Sequence, residues 1–90
     1  MMAETGQGAI PMTTTEALRN IKNAIGTAPR NAYVAELHLQ VIKYADQLQN
    51  VTGKEFSDAV GIGSAFGTEF LKMRKIAPRL AKAGLNVEMI

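Results

Sequence analysis

The sequence predicts an all-α domain of four helices, or of five if Pro78 breaks the last one. Three observations carry this expectation. Apolar residues recur at spacings of three and four along most of the chain, a T-x-x-E capping signal marks a helix start twice, and no long segment alternates apolar with polar residues. Only Asn86 to Ile90 (NVEMI) could be read as a strand, which could then pair with its copy in a dimer.

Residues 1–12 carry Gly6, Gly8 and Pro11 with little apolar periodicity and are expected to form a flexible tail. Order is expected from Thr13, whose hydroxyl and the Glu16 carboxylate stand at capping-box spacing, and the domain is expected to span 13–85. Leu18, Ile21 and Ile25 then give the first helix, about 14–25, with Gly26 as a left-handed stop. Thr27 or Asn31 caps the second helix, with Pro29 in its first turn. Val34, Leu37, Val41, Tyr44 and Leu48 make this the longest helix, roughly twenty residues, with Arg30, Glu36, Gln40, Lys43 and Asp46 toward water. Thr52 and Glu55 open a short third helix that buries Phe56, Ala59 and Val60 and stops at Gly61. Ser64 caps the last helix, which turns Phe66, Phe70, Met73 and Ala77 inward. Pro78 should kink or break it, and Gly84 ends it before the tail 86–90.

Composition excludes several classes of function. Ninety residues allow one domain, and 47% hydrophobic with 20% charged residues is globular composition. The absence of cysteine removes disulfides and thiolate chemistry, and a single histidine removes any His-rich metal site, so neither cofactor nor metal is expected. No apolar stretch is long enough to span a membrane, and MMAETGQGAIPMTTT lacks the basic start and apolar block of a secretory signal. A cytoplasmic location is the simplest expectation. His38, Tyr33 and Tyr44 have no second catalytic group beside them, so they read as packing residues, with His38 at the core edge and one ring nitrogen satisfied. Gly61 to Gly67 contains spaced glycines but follows no strand, so it is not a phosphate loop.

The charge is informative once it is placed along the chain. Residues 1–51 balance to zero, whereas residues 70–84 hold Lys72, Arg74, Lys75, Arg79 and Lys82 and no acid. Such a cluster suits an anionic partner, nucleic acid first, or else is a solvated helix face. The run from Lys54 to Phe70 favours the first reading, as a helix-turn-helix with a plain helical hairpin as its alternative. It has the form short helix, glycine turn, longer helix, with Phe56 and Val60 before the turn, Ser57 small enough for close approach, and Ile62 closing the corner. Gly67 sits where a branched apolar residue is usual. Either Phe66 and Phe70 supply that packing, or Gly67 admits another backbone or DNA.

On the outer face of the last helix, Ser64, Ala65, Thr68 and Lys72 are candidates to touch base edges, while Lys54, Arg74, Lys75, Arg79 and Lys82 suit phosphates. Glu69 could accept from a cytosine amine or support Lys72 locally; the local role is favoured. The block His38 to Leu48 (HLQVIKYADQL) and the run Phe56 to Ile76 together resemble a family of small bacterial proteins with a helix-turn-helix-like domain. The matching residues include Leu37, His38, Leu39, Ile42, Tyr44, Ala45, Leu48, Gly61, Ile62, Thr68, Glu69, Phe70 and Lys72, with departures at Gly63 and Gly67. The resemblance implies DNA binding. The reading as a whole is a sequence-specific reader of double-stranded DNA, a small transcriptional regulator acting as a homodimer through the second helix or the C-terminal tail. The alternative is a protein-interaction module, antitoxin-like or an adaptor subunit, whose basic helix meets an acidic protein.

Overall fold

A computed structural model of the chain describes residues 12–90 and is all-α, with no strand among the described residues. The tail expected over residues 1–12 lies outside the described residues except for Met12, which is exposed. Helix α1 spans Thr14–Thr27 and opens with the capping box: the Thr13 amide donates to Glu16 Oε1 at 3.0 Å and the Glu16 amide donates to Thr13 Oγ1 at 3.1 Å. Ala17, Ile21 and Ile25 recur every four residues and are buried. Gly26 does not stop the helix. It stays within α1, and the chain leaves at Ala28, whose extended backbone (φ −71°, ψ 146°) is what the following proline imposes. The Thr27 hydroxyl bonds back to the carbonyls of Asn23 and Ala24, so Thr27 closes this helix and does not cap the next.

The expected twenty-residue second helix is divided into three pieces. One 3-10 turn at Arg30–Ala32 leads, without a side-chain cap, into α2 over Tyr33–Lys43; a second 3-10 turn follows at Ala45–Leu48. The break falls at Tyr44 (φ −105°, ψ 17°). Leu37, Val41 and Leu48 are buried and Tyr44 half-buried, as the apolar spacing marks, but Val34, expected inward, is exposed, and Gln40, expected toward water, is buried. Two tertiary donors hold the departing carbonyls: the Thr14 hydroxyl bonds Gln47 O at 2.8 Å, and Arg74 Nη1 bonds Leu48 O at 2.7 Å.

Helix α3 spans Gly53–Val60 and begins with the second capping box, Thr52 with Glu55. It buries Phe56, Ser57 and Val60. Ala59 is exposed, contrary to expectation, because the buried arc is rotated toward Ser57 and Gly53, the side that meets the last helix. Gly61 takes the left-handed conformation (φ 80°, ψ 37°), and the amides of Gly61 and Ile62 both donate to Ser57 O, at 2.9 and 3.0 Å.

Helix α4 spans Phe66–Lys82. Ser64 is not its side-chain cap. Its carbonyl accepts from the Gly67 amide inside a turn, and Ala65, already helical, leads the chain in. Nor does Pro78 break α4, which makes the count four helices: the proline lies inside the helix with its ring exposed. Gly84 (φ 109°) ends the helix, with Leu85 N donating to Leu80 O and Gly84 N to Ala81 O. The tail expected as a possible strand is a 3-10 turn at Val87–Met89, capped by the Asn86 side chain and tied to α2 by Lys43 Nζ donating to Ile90 O at 3.0 Å.

The core joins Ala17, Ile21 and Ile25 to Leu37, Val41, Leu48, Phe56, Val60 and Phe70. At its centre the Phe56 and Phe70 rings stack with centroids 4.2 Å apart and planes within 8°. Beside this stack the backbones of Gly53 and Gly67 meet directly. A Cβ placed on Gly67 would lie 2.9 Å from Gly53 O and 3.1 Å from its carbonyl carbon. Both alternatives the sequence offered at this position contribute: Phe70 supplies packing through its stack on Phe56, and Gly67 admits the Gly53 backbone.

Two tests follow from this packing. Gly67→Ala should destabilise the domain by about 1–3 kcal/mol in chemical denaturation, although alanine favours a helix by roughly 1 kcal/mol, because the obstructing atoms are backbone. Gly63→Ala, whose new methyl would find only a Phe66 side-chain atom at 4.0 Å, should change stability little. The amides of Thr13 and Thr52, then their hydroxyls, hold the carboxyls of Glu16 and Glu55 below the ordinary 4.5. The unfolded chain therefore binds more protons in that range. The caps' contribution is complete above pH 4.5 and is lost as pH falls through the folded values. Carboxyl NMR titration should give both midpoints below 4.5, and Thr52→Ala, which removes the hydroxyl and keeps the amide, should return Glu55 only part of the way.

Candidate nucleic-acid interface

Because the phenylalanine stack and the glycine contact fix α3 against α4, the outward faces of both helices form one continuous surface. On α4, Phe70 and Ala77 point into the core with Phe66 and Met73 half-buried beside them. The opposite side exposes Thr68, Leu71, Lys72, Lys75, Arg79 and Lys82, preceded by Ser64 and Ala65 in the turn. Ser64, Thr68, Leu71 and Lys75 follow at steps of four, three and four, so they form one row along the helix. An open crevice runs between this row and α3, lined by Lys54, Ser57, Asp58, Ser64, Thr68 and Leu71.

The cations divide into distinct roles. Lys75, Arg79 and Lys82 are exposed and make no ion pair with a described residue. Lys54 pairs with Asp58 at 2.8 Å, which raises the lysine's pKa through that hydrogen bond; both side chains are largely in water, so the pair is weak and open to exchange for a phosphate. Lys72 Nζ stands 3.5 Å from Glu69 Oε2. The other oxygen of Glu69 is 3.1 Å from His38 Nε2 on α2. Glu69 is thus held locally between two helices, and His38 is a half-buried residue at the core edge with this nitrogen satisfied.

Arg74 departs from its expected place among the phosphate-facing cations. Its side chain turns back into the fold, with Nη1 donating to Leu48 O at 2.7 Å and Val51 O at 2.6 Å, and with the guanidinium 5.0 Å from the Phe70 ring centre. The reason is its position one helical turn after the buried Phe70, on the inner flank of α4 beside the carbonyls that end the Ala45–Leu48 turn. That spacing was available in the sequence; the carbonyls waiting for it were not. Leu71 is the residue that sequence reasoning passed over. Its spacing from Ser64 and Thr68 was the available signal, since seven and three residues place it on their face and away from Phe70.

A family model described as an HTH-like domain matches residues 13–83, which takes in all four helices. The chain belongs to this HTH-like domain family. Neither curated proteins nor solved structures gave a match. Within the matched residues, α3, the Gly61 turn and α4 follow one another as helix, turn and helix, and an HTH-like domain suggests a DNA-binding fold. No helix among the described residues is long and apolar enough to cross a membrane.

The divided roles of neighbouring cations can be measured in the free protein. Arg74→Ala should cost roughly 2–3 kcal/mol of stability, since it strips charged donors from two half-hidden carbonyls. Lys75→Ala, one residue along, should stay within about 0.5 kcal/mol of the parent.

Proposed function

We propose that this HTH-like domain reads double-stranded DNA sequence-specifically, with α4 lying in the major groove, as a small cytoplasmic transcriptional regulator acting as a homodimer. The observation that carries the reading is the exposed face of α4, where small and hydroxyl side chains come first and free cations follow. B-DNA's major groove, about 12 Å wide, admits one helix, and its base edges offer acceptors, donors and thymine methyls. In this docking Ser64, Ala65, Thr68 and Lys72 face base edges, while Lys75, Arg79 and Lys82, with Lys54 from α3, meet phosphates on the groove walls. Arg74 takes no part, because it belongs to the fold. One such helix covers a single stretch of groove, and a two-fold pair reads two half-sites about one helical turn apart; this geometric economy supports the homodimer.

Salt dependence separates phosphate contacts from the rest. Alanine at Lys75, Arg79 or Lys82 should each reduce the slope of log K against log salt by about one and weaken all DNA sequences alike. Alanine at Thr68, or glycine at Ser64, should change which sequence is selected from a random pool more than it changes binding to random DNA. No affinity at low salt for any sequence would overturn the reading and favour a protein-interaction module whose basic helix meets an acidic partner.

A further inference from the structure

Leu71 is a large apolar side chain among the exposed cations of α4, 42% exposed, and no core role explains it. A single exposed leucine is ordinary on a protein surface. The placement of this one is not arbitrary relative to its neighbours. It lies in the row that begins at Ser64 and Thr68, one turn before Lys75, and it forms the far end of the crevice wall between α3 and α4. Ile76 is similarly exposed on the same helix, yet it stands seven residues after Glu69 and so lies on the flank that faces α2. Val34, Leu39 and Met89 are exposed elsewhere, on α2 and the C-terminal turn.

The contact between Gly53 and Gly67 gives the leucine its setting. With no side chain on either glycine, α3 sits hard against the first turn of α4, and the crevice floor beyond is Ser57 and the glycines themselves. Thr68 adds a methyl group beside Leu71 on the same face. The result is a small apolar spot one turn before Lys75, with the exposed Lys54–Asp58 pair across the crevice. A ligand that fits must be anionic around an apolar point. In the major groove the one apolar group on a base edge is the C5-methyl of thymine, set between phosphate rows.

We propose that Leu71, with the methyl of Thr68 beside it, is a specificity-determining contact for a thymine C5-methyl group in the bound DNA. The proposal rests on the DNA-reading function above and assigns part of its sequence preference to an apolar contact rather than to a hydrogen bond. Deoxyuridine pairs as thymine does and lacks only this methyl, so it isolates the contact. Burying one methyl group corresponds to roughly a three- to fivefold change in affinity.

The experiment uses the full chain and the tightest DNA sequence selected from a random pool, with thymines replaced singly by deoxyuridine. For the parent protein one position per half-site should lose about three- to fivefold in affinity. Leu71→Ala and Leu71→Asn should bind the thymine form correspondingly more weakly and be indifferent to deoxyuridine at that same position. Both substitutions lie at the surface, and matching thermal melts establish that the variants are folded. Selective binding with no loss at any deoxyuridine position, or full deoxyuridine sensitivity retained in both Leu71 variants, overturns this assignment while leaving the DNA-reading function intact. Absence of DNA binding at low salt overturns both.

Discussion

The arrangement of this domain depends on how closely α3 and α4 approach each other. Two glycines, Gly53 at the start of α3 and Gly67 in the first turn of α4, meet backbone to backbone, and one turn further along each helix Phe56 and Phe70 stack face to face. The glycines remove the side chains that would hold the helices apart, and the rings fill the space that then opens between them. Neither contact suffices alone. Glycine within a helix lowers its stability, and a lone aromatic pair could slide; together they set both the separation and the register of the two helices. The exposed face of α4 inherits its orientation from this junction.

Arg74 extends the same junction to the rest of the fold. It lies against Phe70 on one helix and holds the carbonyls where the chain leaves the Ala45–Leu48 turn on its way to Thr52. A charged group could be placed there because three carbonyl oxygens converge and replace the water it loses. The cost to the molecule is one cation fewer on its outer face. The His38–Glu69–Lys72 cluster acts on the opposite flank, tying α2 to α4 through a carboxylate that also restrains Lys72. The basic helix therefore carries cations of two kinds, those held by the fold and those left in water, and their number in the sequence overstates the second kind.

How much of this was legible in the sequence follows the range of the interactions. The two capping boxes use residues three apart, so Thr13 with Glu16 and Thr52 with Glu55 announced the starts of α1 and α3 correctly. The left-handed turn at Gly61 is equally local and was equally visible. Apolar spacing identified Ile21, Leu37, Val41, Leu48, Phe56 and Phe70 as core, since a buried stripe is a property of one helix at a time. Errors fell where a distant partner decides. Tyr44 interrupts what reads as one continuous helix because donors on α1 and α4 claim the carbonyls beyond it. Ala59 looks inward until the rotation of α3 toward its glycine contact is known. Ser64 is a local miss instead: its carbonyl accepts from the Gly67 amide in the turn that leads into α4.

By itself the sequence determined the helical class, the core stripes, the glycine turn and the concentration of positive charge on the last helix, all of which depend on residues within a turn or two of one another. The tertiary structure alone decided that Gly67 serves a backbone contact, that Arg74 belongs to the interior, and that α3 stands across a crevice from Leu71. Each of these depends on what stands opposite, and spacing within a single helix carries no information about its neighbour.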